Sequence, residues 1–371
     1  MLFVWIALLA ALFLAYANGA NDNLKGVATL LGSQTTNYRG ALRWATWTTL
    51  LGSITAVFLA THLLKTFSGK GLVSDSLVTD PSYLTAVALG AAVTVFVATR
   101  WGMPVSTTHA LVGALVGAGL AAGGGIHGGV LATKFLGPLL VSPLLAILLT
   151  VVLHRLFRHT RLKLGVVEET CFCVGSEPEP IAIAASLSSE TALARAEKLT
   201  ATLGTEVTCQ RRYGGAVAGI KASTLLAGLH YLSAGTVSFA RGLNDTPKIA
   251  ALLVAGSGLS QLTGVGLAIA LGGLIAARRV AHTMSHEITP MNAGQGFTAN
   301  LVTGLIVILA SRVGVPVSTT HVSCGGIFGV GAITSQARGA MIGRIVLCWV
   351  LTLPLAALVA APVYWLLVYV R

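Results

Sequence analysis

The chain has 371 residues and a formal net charge of +12, with 54% hydrophobic and only 10% charged residues. A soluble domain carries about a quarter charged residues, so this composition excludes an ordinary water-soluble fold. The 24 basic residues are scattered through short loops rather than gathered on one face, which argues against a nucleic-acid partner and reads instead as topology signalling.

In chain order, runs free of Asp, Glu, Lys and Arg cover 2–21, 44–64, 82–99, 101–133 and 135–154, then 222–240, 249–277, 288–311, 313–337 and 345–370. A helix needs about 20 apolar residues to cross the hydrocarbon core, and most of these runs qualify. The fold class is therefore all-α and polytopic, with about 10–12 helical membrane segments. The first run lacks a basic start and leads straight into Asn21-Asp22, which is not the pattern of a removable signal peptide.

Asn21-Asp22-Asn23-Leu24-Lys25 closes that first run. The stretch 26–38 that follows is too short to cross alone, at roughly 13 residues against the ~17 minimum, so it reads as the second part of a helix broken at Asn21-Asp22. Further on, Gly102-Met103-Pro104-Val105-Ser106-Thr107-Thr108-His109 interrupts the apolar sequence. Proline breaks the preceding helix and the hydroxyl run caps the next. The runs on either side of Pro104 are either two crossings or a re-entrant hairpin.

Residues 158–213 differ in kind. They hold seven of the twelve acidic residues and read as a soluble insert between two membrane halves, 1–157 and 214–371. Within it 189–203 reads as a short helix capped by Ser189, flanked by β-branched pieces at Val166-Val167 and Glu206-Val207-Thr208. Basic clusters at both ends (Arg155, Arg158, Arg161 and Lys163; Arg211 and Arg212) place it in the cytoplasm. Cys171, Cys173 and Cys209 fall short of a zinc pattern, and free thiols are expected here as at Cys324 and Cys348.

Both motifs then return. Asn244-Asp245-Thr246-Pro247-Lys248 echoes the first, and Gly314-Val315-Pro316-Val317-Ser318-Thr319-Thr320-His321 echoes the second. Equivalent loops alternate in positive charge. Arg39 and Arg43 face an uncharged turn near Gly258–Gln261, whereas Arg278 and Arg279, then Arg338 and Arg344, answer neutral loops in the first half. Such alternation is expected of inverted repeats, here with both termini outside.

Asp22 and Asp245 are carboxylates at membrane depth, which must be paired, protonated or bound to a cation. Lys25 and Lys248, three residues on, are the expected partners on the same helical face. Ser106, Thr107 and Thr108, and Ser318, Thr319 and Thr320, place hydroxyls at helix N-termini, where free N–H groups and the dipole suit a tetrahedral oxyanion. His109 and His321 are either proton relays, anion ligands or structural. Arg100 and Arg312 either attract the anion or anchor helix ends by snorkelling. Glycines 113, 117 and 119, recurring at 325, 329 and 331, are expected to allow close helix packing. His282, His286 and Glu287 lack the order of a zinc-peptidase motif, and a loop location is expected.

These motifs resemble the inorganic phosphate transporter (PiT) family. The resemblance rests on Gly19-Ala20-Asn21-Asp22, Asn244-Asp245 and both Pro-Val-Ser-Thr-Thr-His segments. Val280-Ala281-His282-Thr283 with Ile288-Thr289 and Gly296-Phe297 also resembles a family segment. It covers both membrane halves and not the insert. It implies a secondary active transporter of the plasma membrane, a homodimer, importing phosphate by symport with sodium or protons. Asn21, Asp22, Asn244 and Asp245 would serve cation and phosphate, with Na+ near the two aspartates, and the hydroxyl triplets would hold phosphate. No cofactor is implied beyond the coupling cation. Family members commonly carry a small polar residue where this chain has Lys25 and Lys248, so an ammonium either takes the space of a sodium or adds charge for the anion. A carrier of another oxyanion, such as sulfate or arsenate, is the alternative. A membrane enzyme or sensor working through the insert is a third class, but the insert shows no catalytic constellation. The chain also has no nucleotide-binding P-loop.

Overall fold

The computed structural model describes residues 2–59, 61–179, 196–213, 217–253 and 259–370. Ten helices of fifteen residues or more lie among them. Five precede the insert: α1 (Leu2–Asp22), α2 (Tyr38–Leu59), α3 (Pro81–Arg100), α4 (Thr107–Ala121) and α5 (Gly137–Lys163). Five accompany or follow it: α6 (Ala222–Ala250), α7 (Leu259–Ala276), α8 (Ala293–Val313), α9 (Thr319–Thr334) and α10 (Gly339–Val370). On length and composition α1, α3, α8, α10 and the helical stretch Gly128–Lys163 suffice to cross a membrane. A sixth span arises if α7 and the segment Arg278–Glu287, bent by 70°, are counted together. The charge in α6, with Arg241, Asp245 and Lys248 within its last ten residues, reflects what that helix carries.

Two compact units result, residues 1–154 with 230–371, and 155–229. In the first, α1 packs on α3 and α7, α7 on α2, α8 on α9, and α10 on α3 and α4. Small residues permit close helix approaches. A Cβ on Gly19 of α1 would run into the Ile269 carbonyl of α7, and one on Gly242 of α6 into the Thr49 carbonyl of α2. The expected packing glycines behave likewise: Gly113 and Gly117 lie against Leu353 and Ala357 of α10, and Gly325 and Gly329 against Pro143 and Thr150 of α5.

The first motif ends α1 at Asp22 and is followed by a turn and the short helix Ala28–Gly32, so the helix breaks where expected. The second copy differs: α6 continues through Asn244-Asp245, with Pro247 inside it, to Ala250. Of the expected turn near 258–261, Gly258 lies outside the described residues and Leu259–Gln261 open α7. His282, His286 and Glu287 were expected in a loop, but the segment Arg278–Glu287 is helical, ending in a π-type turn, because the chain there carries no breaker until Pro290.

The second unit holds a three-stranded antiparallel sheet of β1 (Thr170–Glu179), β2 (Ala196–Thr205) and β3 (Val217–Lys221), in the order β2-β1-β3. The register sets Phe172 between Leu203 and Ile220. The helix expected over 189–203 is corrected here: 189–195 lie outside the described residues, and 196–203 belong to β2, whose full-length pairing with β1 outweighs local helix propensity. The strand expected at Glu206-Val207-Thr208 is instead the start of the helix Glu206–Arg212, capped by a reciprocal Thr205–Thr208 box. Val166-Val167 lie in the irregular connection between α5 and β1. Cys173 and Cys209 were expected as free thiols, but they form a disulfide, because that helix brings Cys209 over the face of β1 that carries Cys173. Cys171, Cys324 and Cys348 are free.

Candidate functional site

Ser106 and Ser318 open α4 and α9 in the same way. Each side chain accepts a hydrogen bond from the backbone N–H three residues on, His109 at 3.1 Å and His321 at 3.2 Å. These caps fix the Thr-Thr pair of each copy at a buried helix start. Thr107, Thr108, Thr319 and Thr320 are all buried.

The lysines then tie each motif to the other half of the chain. Lys25 Nζ donates to Asp22 Oδ1 at 2.5 Å, Asn21 Oδ1 at 2.6 Å, the Val105 carbonyl at 2.8 Å and Thr320 Oγ1 at 2.6 Å. Lys248 Nζ donates to Thr108 Oγ1 and the Val317 carbonyl, both at 2.8 Å, and lies 3.5 Å from Asp245 Oδ1. The two sets correspond. Each ammonium bonds the aspartate three residues back, the valine carbonyl of its own Pro-Val-Ser-Thr-Thr segment, and the second threonine of the opposite one. The expected ion pairs are present, and both are buried.

Asparagines complete the correspondence. Asn21 Nδ2 donates to Thr99 Oγ1 at 2.8 Å, and Asn244 Oδ1 accepts from Ser311 Oγ at 3.1 Å, each partner standing near the end of the helix before a Pro-Val-Ser-Thr-Thr segment. His109 and His321 meet with ring centroids 4.4 Å apart, and His321 also stands edge-on to Trp349 at 3.8 Å. Neither imidazole Nδ1 has a hydrogen-bond partner among the described residues.

Two residues that the sequence reading missed sit at the centre. Asn18 Nδ2 lies 3.1 Å from Asp22 Oδ2, 3.2 Å from Asp245 Oδ2 and 2.9 Å from Thr107 Oγ1, so one amide bridges both carboxylates. Arg241 is 1% exposed and donates to Asn18 Oδ1 at 3.3 Å, Asn23 Oδ1 at 3.2 Å and Thr49 Oγ1 at 3.2 Å. The available signal was register: Asn18 and Arg241 each stand three residues before their motif's first asparagine. Arg100 and Arg312, by contrast, are exposed, and Arg100 stacks over Phe96. His282 and Glu287 pair with each other at 3.1 Å beside Arg100 and Arg279, around a surface cavity of about 320 Å³.

Three buried cations (Lys25, Lys248 and Arg241) thus face two buried carboxylates (Asp22 and Asp245), leaving one net positive charge among hydroxyls and two helix N-termini. A small anion is what such a cluster can hold.

Fold and site together define a helical membrane protein with a charged, anion-suited centre where two copies of one motif pair meet. The model of the phosphate transporter family matches residues 18–360, and the chain belongs to that family. It is 31% identical over 374 residues to the "Probable low-affinity inorganic phosphate transporter" of Rhizobium meliloti (strain 1021), covering 96% of this chain and 93% of that one. It is 34% identical over 163 residues to "Sodium-dependent phosphate transporter 1-B" of Xenopus laevis, covering 40% of this chain and 24% of that one. A solved structure described as "The sodium-dependent phosphate transporter" matches over the whole of both chains with a TM-score of 0.76 at 22% identity, a likeness of fold.

Proposed function

We propose that this chain imports inorganic phosphate as a secondary carrier, by symport with a cation, through a site that two inverted repeats share. The observation that carries this reading is the crossed pair of lysine–threonine bonds, Lys25 to Thr320 and Lys248 to Thr108. Residues 295 and 140 positions apart are held together only while the two motif copies face each other. Entering phosphate would take over the hydroxyls of Thr107, Thr108, Thr319 and Thr320 and the two ammoniums, all of which now bond within the protein or line its core. Separation of the two copies would then open the site to one side.

Phosphate is favoured over sulfate by the carboxylates. Hydrogen phosphate can donate a proton to Asp22 or Asp245, and sulfate cannot. Radiolabelled phosphate uptake into proteoliposomes, with sulfate and arsenate as competitors, tests this. Competition by arsenate but not sulfate is expected, and equal competition by sulfate overturns the assignment.

We place the protein in the plasma membrane as a homodimer, with the insert in the cytoplasm and both termini outside. The loop charges and the family resemblance support this topology. The Cys173–Cys209 disulfide pulls the other way, since cytosolic disulfides are rare. Protease access to the insert from one side of oriented vesicles decides it.

A further inference from the structure

We propose that Lys25 and Lys248 are tethered cations occupying the positions a coupling sodium would need, so that phosphate moves through this chain without sodium. The proposal rests on the reading of the site as a phosphate carrier and concerns only what accompanies the anion.

A hard monovalent cation beside a buried carboxylate seeks a shell of carboxylate, amide, carbonyl and hydroxyl oxygens. Lys25 Nζ already has one of each: Asp22 Oδ1, Asn21 Oδ1, the Val105 carbonyl and Thr320 Oγ1, all between 2.5 and 2.8 Å. An ammonium has three protons to give, so this shell leaves it none spare. Lys248 Nζ has the equivalent carbonyl and hydroxyl at 2.8 Å, the carboxylate at 3.5 Å, and the face of Phe67 at 5.4 Å on its remaining side. Both side chains are essentially inaccessible, 3% and 1% exposed, and their stems hold the charge in place. Asn21 Oδ1 already accepts from Lys25 Nζ and the Val105 N–H, and a second cation on Asp22 Oδ1 would stand against the Lys25 ammonium in a buried setting.

Charge argues the same way. The cluster carries one net positive charge before any ligand arrives, and each added sodium would raise it in a buried, low-dielectric setting. A lysine also stays behind when the anion leaves, so it neutralises the aspartate without being transported. The proton is the cation left to couple. The titratable and charged groups around the two ammoniums are Asp22, Asp245, Arg241, His109, His321 and Cys324.

Two measurements on the purified full chain test this. Radiolabelled sodium should show no saturable binding to the wild type. Phosphate uptake in proteoliposomes should proceed with an inward proton gradient and choline in place of sodium, within about twofold of the rate in sodium. Saturable sodium binding, or a loss of about tenfold on sodium removal, overturns the proposal. Lys25→Asn combined with Lys248→Asn should gain saturable sodium binding, and sodium binding by the wild type alone still decides the question if that variant does not fold. Absence of phosphate uptake under every gradient refutes the transport reading instead, while the sodium-binding result stands by itself.

Discussion

Arg241 offers the sharpest test of how the site is charged. Arg241→Gln removes one of three buried cations and leaves the acceptors on Asn18, Asn23 and Thr49 with a shorter, neutral partner. Three hydrogen bonds in a membrane interior at about 0.6 kcal/mol each give about 2 kcal/mol, and the two lysines and two aspartates left behind balance in charge, so the lost bonds set the cost. The thermal midpoint in detergent should therefore fall clearly. Anion binding should suffer separately. At an effective dielectric of ~20 a unit charge about 8 Å from a phosphate dianion contributes about 4 kcal/mol, so phosphate affinity should weaken by about 100-fold or more even after screening. Arg241→Lys separates the two effects. It keeps the charge but loses the fork, so stability should drop while affinity stays within about tenfold of the wild type. The assays are thermal denaturation and equilibrium binding of radiolabelled phosphate to the same preparations. If Arg241→Gln binds phosphate as tightly as the wild type, the net-charge argument is wrong. If Arg241→Lys binds as poorly as Arg241→Gln, geometry rather than charge sets affinity.

Three further outcomes follow from the packing. Ser106→Ala and Ser318→Ala should each cost about 1 kcal/mol of stability through loss of a helix cap, read as a lowered denaturation midpoint, and the double variant should be close to additive. Gly242→Ala, which drives a Cβ into the Thr49 carbonyl, should cost about 1–3 kcal/mol, whereas Gly228→Ala, inside α6 with open space around it, should stabilise by up to about 1 kcal/mol in the same melt. Cys173→Ser should destabilise the insert by about 2–4 kcal/mol, read by protease susceptibility of that segment, while leaving phosphate uptake near the wild-type rate.

Much of the membrane part was legible because its signals are local and periodic. Apolar runs mark helices, Pro104 and Pro316 mark breaks, and the serines after them mark caps whose bonds form within three residues. The Asp245–Lys248 pair lies on one helical turn and Asp22–Lys25 spans the end of α1 and the turn after it, so both were legible from a three-residue spacing. What escaped was non-local. Nothing near Arg241 announces that its partners lie 192 to 223 residues away. The insert failed for a related cause: β2 is stabilised by a ladder to β1, and the Cys173–Cys209 bridge by a helix docking over that strand, so short-range propensity pointed the wrong way.

The departure from two-fold equivalence matters more than the equivalence. The lysines, threonines and valine carbonyls correspond pair by pair, and a site built only from them would carry two cations and two carboxylates, with no net charge. The match in charge breaks where Asn18 stands against Arg241, and that position supplies the surplus charge. It does so through contact rather than mere proximity, since Arg241 donates to the Asn18 carbonyl oxygen. That bond turns the Asn18 amide nitrogen toward Asp22, Asp245 and Thr107 together. Two asparagines there would leave the amide free to flip, and two arginines would place a second extra cation in the same buried space. An asymmetric pair avoids both outcomes. It holds the carboxylates in one orientation and leaves the site charged for an anion.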